Sequence, residues 1–171
     1  MQQPSRFALV ALALCFGATL MSGCFGGAPL PTPSPTPTGF ASDEEAYAAA
    51  EKTFDDYVRA ENLRREGRVG PDPMSFLSGA AADDYTAAQA DAEAKGLTPV
   101  GSGKVTAFEG MSTAGGSLVA RACYDQSRVR AVDASGADVT SAERPDQVAL
   151  ELEFSLTREP SLRSQRVIGQ C

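Results

Sequence analysis

The spacing of the apolar residues changes once along this chain, at Leu97, and that change constrains the fold class. Before Leu97, apolar residues recur every three to four positions, which is the period of an α-helix. From Leu97 onward they alternate with polar residues, as in a β-strand with one buried face. Helices followed by strands predict an α+β domain in which three N-terminal helices pack on a curved antiparallel sheet.

A long first helix is predicted from Asp43 to Glu66. Ser42 and Glu45 have the spacing of a capping box, in which both side chains accept hydrogen bonds from backbone N–H groups. Gly67 follows as a helix stop, because glycine readily adopts the left-handed conformation that ends many helices. The apolar face of this helix consists of Tyr47, Ala50, Phe54, Tyr57 and Val58.

Two shorter helical elements are predicted after the first helix. Asp72 before Pro73 is typical of a helix start, so residues 73–77 are expected to form one short turn. The alanine-rich stretch after Gly79 predicts a third helix, which ends at Lys95 before the glycine at position 96. The side chains of this helix that are expected to face inward are Tyr85, Ala88 and Ala92.

The second half of the chain predicts strands joined by short turns. Residues 147–157 give the clearest pattern, with Leu152 expected on the buried face and Glu151 on the wet face. Gly115-Gly116 and the stretch 133–136 are typical hairpin turns. The other strands are predicted over residues 100–108, 117–124, 128–132, 137–139 and 163–168.

The N-terminus has the features of an export signal. Arg6 precedes an apolar run over residues 7–20, which is too short to span a hydrocarbon core of roughly 30 Å. The sequence Met21-Ser22-Gly23-Cys24 then resembles the lipobox of bacterial lipoprotein precursors. This resemblance implies that residues 1–23 are removed and that Cys24 carries acyl chains, palmitate among them. A plain secreted protein with an unmodified thiol at Cys24 is the alternative.

The predicted domain organisation follows from this processing site. Residues 1–23 are the signal peptide, residues 24–41 hold the lipid anchor and a linker, and residues 42–171 form the α+β domain. Prolines alternate with threonine or serine in the linker, which excludes helix and sheet and predicts an extended spacer. Its hydroxyl groups are either glycosylated or bare. We expect the protein on the extracytoplasmic face of the cell membrane, held by the acyl chains on Cys24.

The four cysteines can be assigned one by one. Cys15 falls in the signal peptide, and Cys24 is assigned to the lipid. Cys123 and Cys171 remain, and export to an oxidising compartment favours a disulfide between them. Two free buried thiols are the alternative.

The composition excludes several function classes. The formal net charge of −7 argues against nucleic acid as a partner, because phosphate contacts need clustered lysine and arginine. The chain contains no histidine, which removes the commonest general base and the commonest metal ligand. The sequence therefore predicts no catalytic residue set, no metal site and no cofactor.

One glycine-rich stretch resembles the end of a phosphate-binding loop, namely Gly101-Ser102-Gly103-Lys104. The complete motif needs glycine at the position of Thr98 and serine or threonine at the position of Val105. Neither position carries the residue that the motif requires. We interpret the stretch as a strand that is kinked at its glycines.

The order of helices and strands resembles the nuclear-transport-factor-2-like superfamily, whose members form a cone between helices and a curved sheet. The chain is also similar to surface lipoproteins of Gram-positive bacteria, which join a lipobox, a proline-rich stalk and such a domain. The resemblance implies a pocket inside the cone. The candidate pocket residues are Tyr47, Phe54, Tyr57, Tyr85, Leu152 and Phe154.

The predicted function is a binding or interaction module for a protein or small-molecule ligand. Two alternatives remain open. One is a cofactor-free lyase or isomerase that uses a tyrosine and a carboxylate in the cone, as enzymes of the superfamily do. The other is a structural part of an envelope complex.

Overall fold

The computed structural model describes residues 39–171; the predicted signal peptide, Cys24 and most of the linker lie outside them. The described part is an α+β domain, as predicted. Two α-helices are present within residues 39–171, α1 (Asp43–Arg65) and α2 (Gly79–Ala94). The predicted middle helix is a 3₁₀ turn over Pro73–Phe76, so the count of three helices does not hold for α-helices. The strands are β1 (Thr98–Val100), β2 (Lys104–Ala114), β3 (Ser117–Asp125), β4 (Arg130–Val132), β5 (Gln147–Ser155) and β6 (Leu162–Gly169).

Local side-chain contacts set the ends of α1. Ser42 Oγ accepts from the N–H of Glu45 at 3.2 Å, and the Glu45 carboxylate accepts from the N–H of Ala41 at 2.6 Å. Gly67 follows the helix with φ +65°, which lets the N–H of Arg68 reach the Leu63 carbonyl at 2.9 Å. The predicted helix boundaries are therefore confirmed to within one residue. No helix within residues 39–171 is long and apolar enough to cross a membrane.

The strands form two antiparallel sheets instead of the single long sheet that the sequence predicts. Four strands pair in the order β2-β3-β5-β6, while β1 pairs only with β4. The predicted strand over residues 100–108 breaks at Gly101, which has φ +83°. A Cβ there would lie 2.0 Å from the Arg128 carbonyl oxygen, so the chain passes this point only with glycine. The predicted strand over residues 137–139 is reduced to a single bridge between Val132 and Asp138.

The core lies between α1 and the inner face of the four-stranded sheet. Strand β5 alternates as predicted, and the side chains of Leu152 and Phe154 are 0% exposed. Close approach of α1 depends on a glycine in β2, because a Cβ at Gly110 would lie 2.2 Å from the Tyr47 ring. The buried residues that α1 contributes to this core are Ala46, Ala50, Phe54 and Val58.

Helix α2 is more exposed than its sequence predicts. Ala81 is its only buried residue, Tyr85 and Ala92 are half-buried, and Ala88 is exposed, so the inward assignment of Ala88 is wrong. The reason is that α2 packs chiefly against β6, which is the edge strand of the sheet. An edge strand covers only a narrow stripe of a helix.

A disulfide joins Cys123 in β3 to Cys171 at the end of the chain, as predicted, with the two Cα atoms 6.0 Å apart. Cys123 alternates with the buried residues Ala120 and Ala122, which places it on the outer face of the sheet. The bridge therefore holds the segment after β6 against that outer face.

Candidate functional site

A cleft opens between the second half of α1 and strands β5 and β6, and we call it the α1–β6 cleft. Its volume is about 310 Å³. The floor is apolar and consists of side chains that also belong to the core, whereas Val167 on β6 stands at the mouth and is 62% exposed. The floor residues are Phe54, Val58, Val148 and Leu150. The polar side of the cleft consists of Tyr57, Glu61, Arg65, Tyr124, Gln126, Gln165 and Arg166.

Only two of the six candidate pocket residues line this cleft, namely Phe54 and Tyr57. Leu152 and Phe154 are fully enclosed beneath α1 and have no surface to offer a ligand. Tyr47 lies over Gly110 at the other end of α1. Tyr85 belongs to α2, where its hydroxyl donates to a carboxylate on α1.

That carboxylate is Glu61, which the sequence analysis did not single out and which is only 5% exposed. Its Oε1 accepts from Arg64 Nε at 2.9 Å and from the Tyr85 hydroxyl at 2.8 Å. Its Oε2 accepts from Arg64 Nη2 at 3.2 Å and from Arg65 Nη2 at 2.9 Å. Both oxygens therefore carry two hydrogen bonds each, and Glu61 joins α1 to α2.

The sequence carries a signal for this buried acid. Glu61 lies three residues after Val58 and seven after Phe54, so it continues the buried stripe of α1. Arg64 and Arg65 then follow at the helical spacing of ion-pair partners. A carboxylate on an apolar stripe with two arginines one turn later predicts a buried, paired acid.

The arginines keep Glu61 ionised. Burial by itself raises the pKa of this carboxyl, because a charge is costly in a low-dielectric environment. The hydrogen bonds from Arg64, the charge of Arg65 and the Tyr85 hydroxyl outweigh burial and hold the pKa below its ordinary value. A group of this kind fixes the positions of its neighbours and has no driving force to accept a proton near neutral pH.

The Tyr57 hydroxyl at the cleft stays protonated. Burial raises the pKa of Tyr57 far above its ordinary value, and the nearby Glu61 charge raises it further. Within residues 39–171, Tyr57 forms no side-chain hydrogen bond, so its O–H is available to an occupant of the cleft. Tyr124 Oη lies 3.4 Å from Arg65 Nη1 and accepts from it, which leaves the tyrosine proton available.

No group of three or more acidic, cysteine or histidine side chains within residues 39–171 is placed to hold a metal ion. The glycine-rich stretch at residues 101–104 forms a bend that leads into β2. The Tyr124 side chain packs directly against Gly103. A Cβ at that position would lie 2.0 Å from Tyr124 Oη, so only glycine leaves room for the tyrosine. The stretch therefore positions one side chain of the cleft.

Comparisons with known proteins leave the family open. No family model matches the chain, and no curated protein matches it. Among solved structures, the crystal structure of the intermembrane space region of chloroplast protein ARC6 is similar, with a TM-score of 0.48 and 14% sequence identity. The match covers 72% of this chain and 97% of that one.

Proposed function

We propose that this protein is a lipid-anchored extracytoplasmic binding protein whose domain holds a small molecule in the α1–β6 cleft. The observation that carries the proposal is the construction of the cleft. An apolar floor formed by core residues is bordered by hydroxyl, amide and guanidinium groups, within a volume of about 310 Å³. Sites for small molecules generally combine an apolar lining with a few converging polar groups in this way.

The anchor is supported by sequence alone. The apolar run over residues 7–20 ends just before Met21-Ser22-Gly23-Cys24, and the proline-rich stretch after it suits a tether. Stable anchoring by lipid needs two signals such as two acyl chains, and both would be on Cys24. We expect Cys24→Ser to release the protein from membranes on cell fractionation, while Cys15→Ser, within the signal peptide, leaves it bound. Membrane retention of Cys24→Ser would contradict the lipobox.

The assignment to the nuclear-transport-factor-2-like cone is part of the proposal. Two features support it. The helices precede the sheet in the chain and cover its inner face. The ladders of β2 with β3 and of β5 with β6 are interrupted by register shifts, which bend and twist sheets. A bent sheet beneath a helix produces a half-open cleft.

The enzymatic alternative is less well supported by the side chains. A general base near neutral pH needs a raised carboxyl pKa, because the proton must bind and leave at the working pH. Glu61 is the only carboxylate that lines the cleft within the described residues, and its pKa is lowered. Its four hydrogen bonds also leave no oxygen lone pair directed at an occupant.

Native mass spectrometry tests the binding function. The full chain carrying Cys24→Ser is purified without detergent, and we expect a mass increment from a retained small molecule. Val167→Trp places a large ring at the mouth of the cleft and should abolish the increment. Val139→Trp changes another exposed valine, which is 46% exposed and lies outside the cleft lining, and should leave it unchanged. Equal loss, or equal retention, in both variants would contradict binding in the cleft.

A further inference from the structure

The charges at the α1–β6 cleft do not balance, and this imbalance points to the chemistry of the ligand. One carboxylate, Glu61, is shared by two guanidinium groups, Arg64 and Arg65, so the cluster retains one positive charge. The other cation of the lining, Arg166, is paired with Glu151 on the neighbouring strand. A local positive charge of this kind stands out in a chain whose net charge is −7.

We propose that the ligand is an apolar molecule with a single anionic group, such as a carboxylate, and that Arg65 recognises that group. This inference rests on the proposed binding function. The apolar floor takes the body of the molecule, and the anionic group lies against the helix wall. The arrangement explains why a buried guanidinium borders the apolar floor of the cleft.

The unused hydrogen-bonding capacity lies on the cationic side of the cluster. Both oxygens of Glu61 already accept two hydrogen bonds each. Arg65 Nη2 donates to Glu61, but Nη1 has only long contacts, at 3.3 Å to Asn62 Oδ1 and 3.4 Å to Tyr124 Oη. Arg65 Nε has no partner within the described residues. Nε is itself buried, so an acceptor that enters the cleft would pair with Nη1, the donor that Glu61 leaves underused.

Burial makes the Arg65 charge effective. The side chain of Arg65 is 12% exposed, whereas that of Arg64 is 34% exposed. Water screens the first charge less, so an anion that enters the cleft gains more from Arg65 than from a surface arginine. Hydrogen bonds to a charged partner are also roughly twice as strong as neutral ones.

Two tyrosine hydroxyls complete a set of donors around the same place. Tyr57 donates to no side chain within residues 39–171, and the Tyr124 hydroxyl accepts from Arg65, which leaves its own O–H to donate. The lining offers no second carboxylate within the described residues that would repel an anion. A positively charged ligand would meet Arg65 without a free acid to pair with, so the cleft disfavours cations.

A pair of fluorescent probes isolates the anionic group. Anilinonaphthalene sulfonate and N-phenylnaphthylamine share one aromatic skeleton, and only the first carries a negative charge. Both gain fluorescence in apolar sites, and the chain contains no tryptophan to interfere. We expect the full chain carrying Cys24→Ser to bind the sulfonate about tenfold more tightly than the neutral amine, as one charge-assisted hydrogen bond implies.

Variants assign the preference to Arg65. Arg65→Gln should weaken sulfonate binding about tenfold and leave amine binding unchanged. Arg59→Gln removes an exposed charge from the same helix, outside the cleft lining, and should change neither. If Arg65→Gln does not fold, Tyr57→Phe removes one donor and should still weaken sulfonate binding selectively, by about threefold to tenfold.

The outcomes separate this inference from the binding function on which it rests. Equal affinities for the two probes, unaffected by Arg65→Gln, would overturn the anionic ligand and leave the cleft as a binding site. Binding of neither probe would overturn both. Selective loss of the sulfonate in Arg65→Gln and in Tyr57→Phe supports both.

Discussion

Asn62 and Gly103 form two hydrogen bonds with each other across 41 positions of sequence. Asn62 Nδ2 donates to the Gly103 carbonyl at 2.8 Å, and the Gly103 N–H donates to Asn62 Oδ1 at 2.9 Å. The amide thus completes the hydrogen bonding of a backbone unit just before β2 begins. Because Tyr124 lies against Gly103, the same contact fixes the tyrosine at the cleft.

Removing this amide should destabilise the domain. Asn62→Ala loses both hydrogen bonds and leaves the buried backbone unit of Gly103 unpaired, so the free energy of unfolding should fall by about 2 kcal/mol. Urea denaturation measures the change. Gln147→Ala removes an exposed amide at the start of β5 and should stay within about 0.5 kcal/mol. Equal stability of Asn62→Ala and the wild-type protein would contradict the role of this contact.

Substitutions on the two faces of β5 should differ sharply in their effect on the free energy of unfolding. Leu152→Ala removes a fully buried side chain and leaves a cavity, so it should cost about 2–5 kcal/mol of unfolding free energy. Glu151→Ala removes only an exposed cross-strand ion pair with Arg166 and should cost no more than about 1 kcal/mol. Denaturant melts of both variants test the register, and similar losses would show that it is wrong.

The Glu61 ion pairs should make the free energy of unfolding depend on pH in a specific direction. The pKa of Glu61 is lower in the folded protein than its ordinary value of 4.5, so ionised Glu61 stabilises the fold above that pH. This contribution disappears as the pH falls through the lowered pKa. At neutral pH we expect Glu61→Gln to lose about 2 kcal/mol of unfolding free energy, because the arginines lose a charged partner.

The measurement is the unfolding free energy of both proteins from neutral pH down to about pH 3, which lies below the ordinary carboxyl range. The difference between wild type and Glu61→Gln should shrink toward acid pH. Glu66→Gln, at the same end of α1, removes an exposed ion pair with Arg68 and should show a much smaller difference throughout. A Glu61→Gln difference that grows in acid would contradict the lowered pKa.

The disulfide should protect both cysteines from alkylation and stabilise the domain. It closes a separation of 48 residues, which in the chain-entropy model contributes about 4 kcal/mol. Iodoacetamide should label neither Cys123 nor Cys171 without reduction, and both after reduction in denaturant. Cys123→Ser and Cys171→Ser should cost similar amounts, and the double variant no more than either. Labelling of both thiols in the unreduced protein would exclude the bridge.

The sequence predicts those parts of the fold that depend on neighbouring residues. Ser42 and Gly67 bound α1 through contacts within a few positions, and the alternation around Leu152 assigns the faces of β5. The glycines predict a kink in the strand, but not that the strand breaks at Gly101, because the break depends on the carbonyl of Arg128, which a distant part of the chain supplies. The separate pairing of β1 with β4 follows from that break.

The candidate site was harder to predict than the fold. Phe54 and Tyr57 line the cleft and were among the candidates because an apolar face at helical spacing indicates the inner side of α1. The choice of Leu152 and Phe154 failed because an alternating pattern cannot distinguish a core residue from a cleft residue. Glu61 was missed because acids on helices are usually solvated, and its burial depends on Tyr85 from another helix.

The proposal of a binding site in the α1–β6 cleft is tested most directly by locating where a ligand binds. Amide chemical shifts of the full chain carrying Cys24→Ser are recorded by NMR while anilinonaphthalene sulfonate is added. We expect the largest shifts on residues of the α1–β6 cleft, such as Tyr57, Tyr124 and Val167. Shifts confined to the outer face of the sheet, around Arg121 and Glu151, or no saturable shifts at all, would contradict a binding site in this cleft.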